Sequence, residues 1–189
     1  MTVDGALPPR PAESQLLAAC ARGETQAWSE LFEAYKTRVY SLALHLARDD
    51  QEAEDVTQEV FLKLMGRLGQ FRSEARFSTW LYRIVVNTTL DRRRARRRLR
   101  PLEEEHLPPL LAPQERGAMR AEARQRVRRA LQSLSPKLRS VIALRYVSGL
   151  SYAEIGAALE LSEGTVASRL SRGLLQLGQA LPEGRELLS

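Results

Sequence analysis

The chain has 189 residues, 43% of them hydrophobic and 6% aromatic, enough apolar material for one ordinary domain or two small helical ones with packed cores. The formal net charge is +6, but the segment Asp91 to Arg100 holds seven Arg and one Asp, so that decapeptide carries the whole excess and the rest is neutral. One cysteine (Cys20) and two histidines (His45, His106) exclude a disulfide framework and give no metal-ligand spacing, and no run approaches the ~18 apolar residues of a membrane span.

Ala, Leu, Glu, Arg and Gln dominate long stretches, which favours helix throughout and predicts an all-α chain. Residues 1–12, with Pro8, Pro9 and Pro11, read as a disordered tail without a basic leader or cleavage site, so the expected location is the cytoplasm. Helical signals begin near Glu13. Gly23 ends a short first helix in which Cys20 is a core residue, and Thr25 is placed to cap a long one. Its apolar positions Trp28, Leu31, Phe32, Tyr35, Val39, Leu42, Ala43 and Leu46 recur at three and four. Asp49 and Asp50 sit where a cap belongs. The helix that follows puts Ala53, Val56, Val60, Phe61 and Leu64 on one face and Glu52, Glu54, Asp55 and Glu59 on the other. A polar loop from Gly69 to Phe77 leads to Ser78, a candidate cap for a fourth helix that buries Trp80, Leu81, Ile84 and Thr88 and runs into the arginines.

Four prolines (Pro101, Pro108, Pro109, Pro113), the acidic triplet Glu103 to Glu105 and the lack of any period mark 100–116 as a flexible linker. The second unit, 117–183, starts with a basic helix to Ser133 whose apolar side includes Ala123, Val127, Ala130, Leu131 and Leu134; residues 184–189 are a tail. Ser135 and Pro136 supply an N-cap and a proline at the first helical position. The next helix stops near Gly149.

Ser151-Tyr-Ala-Glu154 is a capping box opening a short helix through Leu159, and after a tight turn Ser162 caps a long helix. Two helices so joined make a helix-turn-helix. Ile155, Leu159, Val166 and Leu170 would lock the pair, leaving Gly164, Ser168, Ser171 and Arg172 outward with Thr165 and Arg169 at the edges. That face is short, polar and basic, as entry into a major groove requires; a solvated helical hairpin has the same pattern. The arginines Arg92, Arg93, Arg96 and Arg97 extend a well-formed helix and could track a phosphate backbone, although many charge runs are simply solvated. No glycine-rich phosphate loop and no nucleophile with a histidine partner occurs, so an enzyme is not expected, and neither is a cofactor or a metal.

Asp55-Val-Thr-Gln-Glu-Val-Phe61, Phe77-Ser-Thr-Trp-Leu-Tyr-Arg-Ile84, Gly149-Leu-Ser-Tyr-Ala-Glu-Ile155 and Gly164-Thr-Val-Ala-Ser-Arg-Leu170, in that order, resemble the ECF (extracytoplasmic-function) sigma factors of the sigma-70 family. The resemblance implies that residues 13–99 form the unit that binds the polymerase clamp and opens the minus-ten element. It implies likewise that 117–183 form the unit that reads the minus-thirty-five element. Asp55, Gln58 and Glu59 fall where the family docks on polymerase. Phe71, Arg72, Ser73 and Arg76 fall in the loop that captures a flipped base, with Arg83, Asn87 and the arginines following on the next helix. Thr165, Ser168, Arg169, Ser171 and Arg172 would face minus-thirty-five DNA.

The partners implied are core RNA polymerase, promoter DNA and an anti-sigma factor, and the linker would thread toward the active-site and RNA-exit channels, with Glu103 to Glu105 mimicking nucleic acid. Near Trp80 to Ile84 the chain lacks the paired tryptophans of primary sigma factors. Ala167 and Ser171 differ from many relatives, which leaves the minus-thirty-five sequence unassigned. A stand-alone helix-turn-helix regulator, which has no use for the acidic Asp55 to Phe61 face, and a basic RNA-binding or adaptor protein are the alternatives from other classes.

Overall fold

In the computed structural model the described residues are 10–72, 75–99 and 118–181. Among them all regular structure is helical: α1 (Arg10–Ala21), α2 (Thr25–Leu46), α3 (Asp50–Arg67), a 3-10 turn at Leu68–Gln70, α4 (Phe77–Leu99), α5 (Ala118–Ser133), α6 (Pro136–Tyr146), α7 (Tyr152–Leu159) and α8 (Glu163–Ala180). The expected linker, most of the first tail and the last residues lie outside the described residues.

The N-terminal unit is built around α2. Leu31, Tyr35, Val39, Leu42, Ala43 and Leu46 are buried along one stripe, and α1, α3 and α4 pack against it. All five apolar residues expected from α3 are buried. Each fully buried Leu or Val contributes about 1.5–3 kcal/mol against 0–1 kcal/mol for an exposed ion pair, so this stripe, more than the charges around it, holds the unit together. Tyr35 is fully buried, its hydroxyl donates to Glu13 of α1, and its ring meets Phe77 edge-on at 5.2 Å. Burial and the Glu13 bond push the Tyr35 phenol far above its usual range, so it remains a donor and ties α1 to the core.

Several local expectations are corrected. Residues 10–12, assigned to the tail, are helical, because Pro11 falls in the first turn, where its missing N–H has no partner to lose. Thr25 is not a cap: Gly23, at φ 85°, closes α1 with its N–H on Cys20, and Glu24 takes the N-cap position without a side-chain bond. Ser78 lies inside α4, buried, since core burial of Phe77 starts that helix earlier, with Trp80 N–H on the Arg76 carbonyl. Phe32 and Val127 are exposed instead of buried. Trp28, Trp80 and Leu159 are half-buried. Cys20 is a core residue, as expected.

In the C-terminal unit Pro136 occupies the first turn of α6, although Ser135 makes no side-chain cap bond. Gly149 at φ 71° follows the end of α6, and α6 and α8 pack face to face, with α5 and α7 on their flanks. The two units share one continuous buried cluster: α2 packs on α5 and α6, and α4 packs on α6 and α7. At this junction Arg139, 4% exposed, donates to the carbonyls of Leu46 (3.1 Å), Gln132 and Leu134 (3.2 Å). Gln132 Nε2 donates to the Ala47 and Arg48 carbonyls at 3.2 and 2.7 Å, and Arg128 pairs with Asp50.

Asp49 caps α3, accepting from Glu52 N–H at 2.7 Å. Burial alone would raise its carboxyl, but that backbone bond and Arg48 hold it below the usual value. A depressed folded pKa means the carboxylate stabilises above its unfolded pKa and loses that contribution as pH falls through the folded one. Replacing Asp49 with Ala should therefore cost about 1 kcal/mol near neutrality, a gap that narrows below pH ~4. Urea unfolding at both pH values checks this; an equal gap at each would show that the charge is idle.

Candidate nucleic-acid interface

The helix-turn-helix is closed by its own polar chemistry. Ser151 and Glu154 make a reciprocal capping box, with Ser151 N–H on Glu154 Oε2 at 2.8 Å and Glu154 N–H on Ser151 Oγ at 3.2 Å. In the turn, Leu161 N–H bonds the Gly156 carbonyl at 2.9 Å. A Cβ at Gly156 would stand 2.7 Å from the Leu161 carbonyl oxygen, so glycine is required there. Glu160, at the end of α7, takes φ 56°, and Ser162 caps α8 by accepting from Thr165 N–H at 3.3 Å.

Val166, Leu170, Gly173 and Leu177 of α8 face inward. Gly164, Ser168, Ser171 and Arg172 are exposed and Thr165 and Arg169 half-exposed, which brings the expected recognition residues onto one strip of α8. Arg172 is steadied by Nε on the Ser168 carbonyl at 3.3 Å. Arg169 differs from the others, because it lines a cleft of about 160 Å³ together with Arg83, Asn87, Lys137 and Glu160.

At the start of α4 a cleft of about 210 Å³ is lined by Gln70, Phe71, Arg72, Ala75, Thr79, Trp80 and Arg83 from the N-terminal unit and by Ala157 and Ala158 from α7. Phe71 is half-buried and engaged with Phe77 and Trp80 at centroid distances of 5.5 and 5.4 Å, so it supports the cleft's aromatic wall. Thr79 is 2% exposed, and its hydroxyl has no hydrogen-bond partner within the protein. Thr79 carries no signal in the sequence, and the half-buried Trp80 reads there as one core position of an amphipathic helix. Ser73 lies outside the described residues. Arg76 pairs with Glu154 at 3.5 Å and Arg83 with Glu160, both across the junction. Asn87 is exposed.

The arginines of α4 do not form a uniform rod. Arg92 is clamped by Asp55 at 2.7 Å and Glu59 at 3.1 Å, and Arg96 approaches Glu52 at 3.9 Å. Arg93 and Arg96 line an inter-unit cleft of about 180 Å³ with Arg48, Glu52, Arg129 and Arg139. Among the described arginine side chains of α4, Arg94, paired with Asp91 at 3.2 Å, and Arg98 are the exposed ones. The Arg97 side chain lies outside the described residues.

Of the expected docking residues on α3, Gln58 is exposed and Asp55 and Glu59 are half-exposed. Burial alone would raise the Glu59 carboxyl, yet Lys63 and Arg92 hold it below the usual value. The same face carries Leu62 and Met65, 69% and 58% exposed, with Phe32 beside Phe61 at 4.7 Å. An apolar strip in open solvent marks a contact surface better than the partly neutralised carboxylates do. Its signal is legible as the doublets Phe61-Leu62 and Leu64-Met65, wider than one buried face needs.

This division of the arginines has a measurable consequence. Replacing Arg94 and Arg98 with Gln should lower the salt slope of DNA binding by about 2. Arg92→Gln should leave that slope unchanged and lower stability by up to about 1 kcal/mol. Fluorescence anisotropy across a salt series, with urea melts, checks both; a slope that falls with Arg92→Gln would mean DNA displaces the α3 carboxylates.

Residues 31–99 match the family described as Sigma-70 region 2, and 124–177 match Sigma-70, region 4. The RNA polymerase sigma-H factor of Pseudomonas aeruginosa is 34% identical over 180 residues, covering 89% of this chain and 93% of that protein. The ECF RNA polymerase sigma-E factor of Escherichia coli K12 is 36% identical, covering 83% and 87%. Among solved structures, CnrH in complex with the cytosolic domain of CnrY is similar at 26% identity with a TM-score of 0.67, covering 89% of this chain and 96% of that one. RpoE of Bartonella quintana, solved with the anti-sigma factor NepR, shares the fold at 24% identity and a TM-score of 0.73, covering 85% and 100%.

Proposed function

We propose that this chain, which belongs to the sigma-70 family and to its ECF group, whose members direct RNA polymerase to promoters, divides that task between its two units. The C-terminal unit reads minus-thirty-five DNA through the outward strip of α8. The N-terminal unit opens the minus-ten element and takes an unstacked base into the cleft beside Trp80 and Thr79. The observation that carries this reading is the pairing of a capped helix-turn-helix, exposed along a short-chained polar strip, with an aromatic-walled cleft that holds an unsatisfied hydroxyl.

The chemistry supports each part. Gly164, Ser168, Ser171 and Arg172 let α8 approach base edges closely, with Thr165 and Arg169 at the margins for phosphates. Extracting a base costs a few kcal/mol of unstacking, which stacking on an aromatic ring and a hydrogen bond to a buried hydroxyl offset. The Thr79 hydroxyl, buried beneath the cleft wall and without a partner in the protein, supplies that bond once the wall shifts to uncover it. Core polymerase docks on the α3 face formed by Asp55, Gln58, Glu59, Leu62 and Met65, and the apolar pair gives the contact its area. An anti-sigma partner belongs to the same reading, since CnrH is held in complex with the cytosolic domain of CnrY.

Run-off transcription with core polymerase on fragmented genomic DNA should give discrete transcripts that depend on this chain. A folded chain that binds core polymerase but yields none would refute the reading. Replacing Leu62 and Met65 with Asp should weaken core binding about tenfold or more, the scale of two lost apolar contacts, without changing thermal stability, because both side chains are exposed. Unchanged affinity in a pull-down titration would move the docking face elsewhere.

A further inference from the structure

We infer that the arginine-lined cleft between the two units is a binding site for a small phosphate-class anion, of the size of phosphate or pyrophosphate, held by side chains of both units at once.

The charge of the cleft is lopsided. Arg48, Arg93 and Arg96 enter it from the N-terminal unit and Arg129 and Arg139 from the C-terminal one, and Glu52 is the one carboxylate among its described lining residues. Arg48 pairs with Asp49 at 2.9 Å and Arg96 approaches Glu52 at 3.9 Å. With both carboxylates counted, five positive charges of the described residues stand against two negative ones. Like charges at such range repel, and more strongly where water is excluded. Arg139, 4% exposed and held on three backbone carbonyls, is fixed in place and has no route to turn out into solvent. An anion of two or three charges offsets the surplus.

The backbone contributes to the same field. Helix α6 meets the cleft with its first turn, through Pro136, Arg139 and Ser140, while Ser135 at its N-cap makes no side-chain bond. The positive end of that helix therefore points its partial charge where the guanidinium groups gather.

Gln132 narrows the choice of anion. Its Nε2 donates to the Ala47 and Arg48 carbonyls at 3.2 and 2.7 Å, which fixes the orientation of the amide. Its Oε1 is buried, in a side chain that lines the cleft, and receives no hydrogen bond. A buried acceptor of this kind calls for a donor. Hydrogenphosphate and hydrogenpyrophosphate keep an O–H near neutral pH, whereas sulfate and the phosphodiester of DNA have none. An acceptor set among cations thus favours an anion that also donates. The cleft volume of about 180 Å³ is the space of about six waters at ~30 Å³ each, which suits one or two phosphoryl groups and leaves no room inside for a nucleoside.

Calorimetric titration of the full chain at constant ionic strength, with pyrophosphate, glycerol phosphate and sulfate in turn, tests the site. Pyrophosphate should bind at one site per chain, and at about a hundredfold excess over its Kd should raise the thermal midpoint by about 5 °C. Sulfate should bind at least tenfold more weakly, since it leaves the Gln132 oxygen unmet. Arg129→Gln should weaken pyrophosphate binding roughly three- to tenfold, and because Arg129 is exposed the fold survives, as melts without ligand will verify. Arg22→Gln, exposed just beyond α1, removes the same charge elsewhere and should leave the affinity as it is. Tighter binding of glycerol phosphate than of pyrophosphate also supports the site and names a phosphomonoester as the source of the phosphoryl group. Absence of a saturable signal with either compound would overturn the inference. Equal affinity for sulfate would overturn it too, because a backbone phosphate would then serve as well, and so would equal losses in the Arg129 and Arg22 variants, the mark of a diffuse counterion atmosphere.

Discussion

The Arg139 guanidinium is almost wholly out of water, and a charge in that position is tolerated only where fixed dipoles replace its hydration. Three backbone carbonyls do so, from Leu46 at the end of α2 and from Gln132 and Leu134 at the end of α5. Helix C-termini carry partial negative charge and unsatisfied acceptors, so one side chain answers the needs of two helix ends that belong to different units. The orientation of α6 follows from this pin. Since α8 packs on α6 and α7 on both α8 and α4, the position of the helix-turn-helix relative to α4 follows too.

The surrounding electrostatics are organised by pairing more than by net charge. The excess of +6 resides in one decapeptide, yet two of its members are turned back onto α3: Arg92 grips Asp55 and Glu59, and Arg96 lies near Glu52. The acidic face and the basic helix, which read as two independent surfaces along the chain, are in part a single intramolecular contact. Among the described residues, what remains outward is more selective: Arg94 and Arg98 on the helix, and a strip on α3 whose most exposed apolar members are Leu62 and Met65.

Helix existence was legible because periodicity is a short-range signal. The buried stripe of α2 and the five core residues of α3 recur at three and four, and the capping box at Ser151 and the N-cap at Ser162 need only residues three apart. At the two displaced caps a neighbour decided the outcome: core burial of Phe77 displaced the Ser78 cap, and the turn at Gly23 displaced the Thr25 cap. The contacts between units were illegible for a different reason. Arg139 pairs with a carbonyl 93 residues away, and Arg83 with a carboxylate 77 residues away. Nothing in the local pattern of an amphipathic helix distinguishes an arginine that enters the interior from one that meets water. Of the candidate site, the strip on α8 was readable as a face, whereas the cleft beside Thr79 and Trp80 exists only once α7 has been placed against α4.

The close approaches at Gly156 and Gly173 have a consequence for how freely this protein can change. The spacing of α7, α8 and α6 is set by hydrogen atoms at two glycines and by the inward residues Val166 and Leu170, none of which lies on the outward strip. Gly164, Ser168, Ser171 and Arg172 therefore behave as an exchangeable cassette mounted on a rigid frame. With the strip reading DNA as proposed, duplicated copies of such a chain can diverge in the DNA they address, one outward residue at a time, while the inward packing of the unit stays as it is.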